Sequence, residues 1–134
     1  MKLLQLLSIL FFLALSNTSF SQTRFEVAEM SAYPEFTQRE KEQFEHLAVE
    51  AKETEEGIEL AFLSGQESNN KYINTYEYQK KENGEKIYTE RSEDGHVIVM
   101  ISYKKNLFSK DQIVMQQFSN NGFLMGSFIF EEAR

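Results

Sequence analysis

The chain has 134 residues, with 14 basic against 21 acidic side chains, a net charge of −7 and no cysteine. That length holds one domain, and the acidic balance disfavours nucleic acid and anionic surfaces as partners. Without thiols there are no disulfides, thiolate zinc sites or thiol catalysis.

The first residues read as an export leader. Met1-Lys2 is a minimal basic start, Leu3 to Leu15 is apolar apart from Gln5 and Ser8, and Ser19 and Ser21 are small residues ahead of a cleavage point at Gln22. The apolar run of about 13 residues is short of the roughly 20 that span a bilayer. We therefore expect residues 1–21 to be removed as a secretory signal peptide and residues 22–134 to form a single mature domain. Losing Lys2 takes its net charge to −8. An exported domain without disulfides suits a bacterial periplasm or medium, and no membrane insertion is expected after cleavage.

Thr23 to Met30 alternates loosely, with Phe25 and Val27 apolar and Arg24 and Glu26 polar, and predicts a short edge strand. Tyr33-Pro34 ends it, since proline has no ladder donor and restricts the residue before it. Thr37 with Glu40 forms a T-x-x-E capping box, and the composition beyond it predicts a helix to about Lys52 or Thr54. Phe44, Leu47, Ala48 and Ala51 share one helical face, opposite Arg39, Glu42, His46, Glu50 and Glu53. Gly57 is placed to stop this helix. Ile58 to Leu63 predicts a strand, and residues 65–70 a polar loop.

From Lys71 to Glu131 the sequence repeats strand, turn, strand. Asn83-Gly84, Asp94-Gly95 and Asn121-Gly122 each separate runs rich in Tyr, Ile, Val, Met and Phe, and such dipeptides supply the positive φ that tight hairpins require. Two-residue loops would pair Lys80 with Ile87, Tyr78 with Thr89, Ser92 with Val97 and Glu90 with Val99. One face then holds Tyr72, Tyr76, Tyr78, Ile87, Ile98 and Met100; the other holds Ile73, Tyr88, Val97, Val99 and Ile101. Both faces are apolar, whereas a sheet wet on one side alternates cleanly. The expected fold is α+β: one N-terminal helix packed on a curved antiparallel β-meander of about five to seven strands, too few to close alone.

Residues able to carry chemistry are sparse. Glu42, His46 and Glu50 would lie along one helix face, but the two carboxylates would sit about 12 Å apart by helical rise, too far to share an ion with His46. Glu93-Asp94-Gly95-His96 is explained as a turn. No serine sits in a G-x-S-x-G elbow, and no glycine-rich phosphate loop is present. No catalytic residue, metal site or cofactor is expected.

The best binding candidates are Tyr72, Tyr76, Tyr78 and Tyr88, because tyrosines on a sheet make rigid amphipathic contact area. These residues point to a non-catalytic exported binding or accessory module, using a sheet face or concavity for a protein, peptide or apolar ligand. Two other readings stay open. One is a small enzyme with a pocket between helix and sheet, using a histidine (His46 or His96) or an acidic residue as base. The other is a structural or homo-oligomeric envelope component, such as a dimer formed through a sheet edge.

Overall fold

The computed structural model describes residues 22–63 and 71–133. The expected leader (1–21) and the loop expected at 65–70 lie outside those residues. The described chain runs β1 (Thr23–Ala32), α1 (Gln38–Phe44), β2 (Ala48–Glu53), β3 (Gly57–Leu63), β4 (Lys71–Glu82), β5 (Glu85–Arg91), β6 (Val97–Lys104), β7 (Gln112–Phe118) and β8 (Leu124–Glu132). Each strand pairs antiparallel with the next, and β8 pairs back onto β1, giving a closed up-and-down barrel.

The α+β expectation is therefore overturned: the fold is essentially all-β. The meander closes because β1, β2 and β3 add three strands to the five in residues 71–132. β1 is not an edge; it lies between β2 and β8. Every described strand has two neighbours, so no sheet edge stays open among them.

The long helix is also corrected. Thr37 does cap α1, its Oγ1 accepting from the Glu40 amide at 3.2 Å while Glu40 Oε1 accepts from the Thr37 amide at 3.1 Å. However, the helix ends at Phe44, and Ala48–Glu53 is strand. Leu47, Val49 and Ala51 fit a period of two as well as Phe44, Leu47 and Ala51 fit a helical stripe. Pairing with both β1 and β3 decides between them.

Gly57 stops no helix; it opens β3, and a Cβ there would run into the Tyr76 carbonyl oxygen of β4. Thr54 and Gly57 close the β2–β3 hairpin, with Thr54 N–H donating to the Gly57 carbonyl at 2.9 Å.

Asn83-Gly84 is the expected two-residue loop, with φ of 53° and 80° and Glu82 opposite Glu85. The other two hairpins carry three-residue loops. Ser92 N–H donates to His96 O at 2.8 Å around Glu93-Asp94-Gly95, and Ser119 N–H to Phe123 O at 2.9 Å around Asn120-Asn121-Gly122. In both only the glycine has positive φ. Arg91, not Ser92, consequently faces Val97.

The interior is an apolar core. Phe25, Val49, Ile58, Leu60, Ile101, Ile113 and Phe130 are fully buried within it. Phe25 meets Tyr103 edge-on at 5.7 Å, and Phe128 stacks on Phe130 at 5.9 Å. Outward positions include Arg24, Glu26, Glu50, Lys52, Glu59 and Glu77. These charges share the outward face with Ile73, Ile87, Met100, Val114 and Ile129. No helix among the described residues is long and apolar enough to cross a membrane.

The barrel has two unlike ends. The helix end carries α1, where Phe36 and Phe44 pack on Phe128 with ring centroids 5.9 and 5.6 Å away. The opposite end carries the β2–β3 and β4–β5 hairpins and the connection from Lys105 to Asp111.

Candidate functional site

Register places all four candidate tyrosines on the inward face. A bulge between Tyr78 and Lys80 shifts the β4–β5 pairing, so Tyr78 faces Tyr88 and Glu77 faces Thr89. The expected Tyr78–Thr89 pair does not form, and Tyr88 moves to the face of Tyr72, Tyr76 and Tyr78. Tyr78 and Tyr88 meet edge-on at 5.6 Å. The four do not form one patch: β4 spans the barrel, so Tyr72 lies at the helix end and Tyr78 at the opposite end. Tyr76 and Tyr88 are buried, at 3% and 2% exposure, while Tyr72 and Tyr78 retain 66% and 44%.

At the helix end, Tyr72 packs against Phe62 with centroids 6.2 Å apart. Two residues further into the barrel, Asn74 Nδ2 donates to Glu90 Oε2 at 2.6 Å. Glu90 stands on β5 beside Val99, half-buried, with Tyr76 as its β4 neighbour. Burial pushes the Tyr76 hydroxyl pKa up; a hydrogen bond with Asn74 opposes this, and the charge of Glu90 adds to it. A carboxylate with one hydrogen bond, an amide and two phenols therefore line an otherwise apolar wall.

At the opposite end the polar groups answer one another. Glu53 Oε1 accepts from Lys86 Nζ at 3.0 Å and from the Tyr88 hydroxyl at 3.4 Å, and Glu53 Oε2 accepts from Lys105 Nζ at 2.7 Å. Burial works against the ionised Glu53, but the hydrogen bonds and charges of Lys105 and Lys86 outweigh it and lower its pKa. Burial first, then the charge of Glu53 and the hydrogen bond to it, hold Tyr88 far above the ordinary tyrosine range. Tyr103 is raised likewise, by burial and then by Asp111, Glu53 and Glu132. Lys105 also lies 5.4 Å above the Tyr103 ring.

The residues weighed for catalysis or metal binding are dispersed. His46 and His96 are both exposed. Glu42, His46 and Glu50 do not share a helix face, because Glu50 is on β2 and pairs with Ala61. His96 lines a shallow depression of about 600 Å³ with Val97, Met100, Phe118 and the β7–β8 loop. No group of three metal-ligating side chains occurs among the described residues.

Sequence reasoning missed Asn74, Glu90, Glu53, Lys86 and Lys105. Their signal was polarity at positions that alternate with apolar neighbours, legible only once the face of each strand is known.

The class so defined is an eight-stranded up-and-down barrel with a packed interior and polar ends. No family model matches the chain, and neither a curated protein nor a solved structure matches it.

Proposed function

We propose that this protein is a non-catalytic exported binding module, periplasmic or secreted, whose helix end takes a small ligand with an aromatic or apolar body and a hydrogen-bond-donating head. The supporting observation is Glu90, an inward, half-buried carboxylate held by Asn74, beside Tyr76 and the exposed ring of Tyr72. Eight-stranded barrels have room for packed side chains or one small ligand. Phe62 and Tyr72 supply the flat apolar contact, and Glu90 fixes orientation and favours a cationic head.

The test is titration of ¹⁵N-labelled protein with tryptamine, with indole and indole-3-acetate as controls on the head group. Amide shifts should centre on Tyr72, Asn74 and Glu90 for tryptamine, and Glu90→Gln should weaken its binding by about tenfold, the scale of one charged hydrogen bond. Absence of shifts with tryptamine, or equal binding of the acetate, would overturn the reading.

A further inference from the structure

We propose that Asn83, at the tip of the β4–β5 hairpin, is a self-modifying site, converting to aspartate and isoaspartate through attack by the Gly84 backbone nitrogen. The chain has two Asn-Gly pairs, Asn83-Gly84 and Asn121-Gly122, both on exposed hairpin loops. A following glycine puts no side chain in the way of the attack. At Gly84 and Gly122 alike, nothing beyond the chain neighbours lies within 4 Å of where a Cβ would stand. Sequence and access are thus the same at both pairs, and only the fold tells them apart.

The fold differs first at the nucleophile. The Gly122 N–H donates to the Ser119 carbonyl at 2.9 Å, so attack at Asn121 must break a bond before it begins. The loop at Asn83 has two residues, with Glu82 facing Glu85. The bonds that close such a turn join its flanking residues and leave the Gly84 nitrogen out of them. The second difference is backbone strain. Asn83 sits at φ of 53°, the one non-glycine residue with positive φ among the described residues, in a region that is unfavourable for an L residue. Ring closure turns the asparagine backbone out of its present conformation, and Asn83 leaves a strained one where Asn121 does not. The loop at Asn121 is tied once more, by the Phe123 amide donating to Ser119 Oγ at 3.2 Å.

The reaction needs only water and hydroxide. The Gly84 nitrogen gives its proton to hydroxide and bonds to Asn83 Cγ; the bond from Cγ to the side-chain nitrogen breaks, and ammonia leaves with a proton from water. Water then opens the cyclic imide. Opening at Cγ gives aspartate, and opening at the former main-chain carbonyl gives isoaspartate, with nothing oxidised or reduced. Either product replaces a neutral amide by a carboxylate. Isoaspartate also adds a methylene to the main chain, and a turn built on two successive positive φ values does not accommodate it. The outermost pairs of the hairpin, Glu82 with Glu85 and Lys81 with Lys86, are the first to feel the change, and Lys86 carries it to Glu53, which it reaches at 3.0 Å.

The test is timed incubation of the purified protein at mildly alkaline pH, folded and in denaturant, followed by tryptic digestion and mass spectrometry. Cleavage after Lys81 and Lys86 isolates residues 82–86, and cleavage after Lys110 isolates residues 111–134. Conversion is read as the mass gained when an amide becomes a carboxylate, and isoaspartate as methyl acceptance from an isoaspartyl methyltransferase. In the folded protein residues 82–86 should convert at least about threefold faster than residues 111–134, the scale of one retained hydrogen bond. In denaturant the two rates should draw level, because both asparagines precede glycine. No conversion in residues 82–86, conversion in residues 111–134 that is as fast or faster in the folded protein, or the same ratio of rates in denaturant would overturn the proposal.

Discussion

The two ends of the barrel solve the same problem in opposite ways. Each has a half-buried carboxylate on the inward face among tyrosines. At one end Glu53 receives two lysines and a phenol, and its charge is settled within the protein. At the other, Glu90 receives a single amide. Glu53 ties β2 to β5 and to the β6–β7 connection, whereas Glu90 ties β5 to β4 alone.

Three substitutions would sharpen or break that contrast. The largest effect should come from Phe128→Ala at the helix end. It removes a buried ring that contacts Phe36, Phe44 and Phe130, and chemical denaturation should show a loss of about 3–5 kcal/mol. A loss under about 1 kcal/mol would mean that α1 is not anchored there.

Next is Gly57→Ala, at the opposite end. The added Cβ collides with backbone, the Tyr76 carbonyl oxygen, which cannot rotate aside as a side chain could. A loss of about 2–3 kcal/mol is expected, the range for overpacking a tight site, and a neutral result would show that β3 and β4 can separate there.

The smallest is Glu53→Gln, at most about 1 kcal/mol at neutral pH, since the ion pairs are partly exposed. Its pH dependence is the diagnostic part. The folded-state pKa of Glu53 is lowered from 4.5, so the contribution is fully present above that value. It is lost as pH falls through the lower folded-state pKa. The stability gap between parent and variant should accordingly be flat at neutral pH and shrink in acid below 4.5. A gap that persists unchanged in acid would show that the carboxylate's charge is irrelevant to that end.

Much of the strand content was legible, because hairpin chemistry is local. Asn83-Gly84 supplies two positive φ values in succession and behaves as its sequence implies. Asp94-Gly95 and Asn121-Gly122 mark reversals correctly, but each uses only its glycine in the left-handed region, which lengthens the loop by one residue. Residues 45–53 were not legible. Their alanine and glutamate content favours helix, while their pairing partners on β1 and β3 are remote in sequence. Closure was hidden for the same reason, since the seam between Thr23–Ala32 and Leu124–Glu132 joins opposite ends of the chain. The tyrosines stood out by type; Asn74 and Glu90 could not be joined to them without knowing which way each strand faces.

That facing turns on the bulge at Tyr78/Lys80, where Gln79 has no counterpart on β5. One supernumerary residue keeps two halves of a long strand in phase with different stretches of its neighbour. Replacing Gln79 should matter little, but deleting it would put Tyr72, Asn74 and Tyr76 out of step with the barrel's interior and offer Ile73 and Thr75 in their stead. A single lost codon could thus turn a lining into a coat, while most substitutions at the same place pass unnoticed.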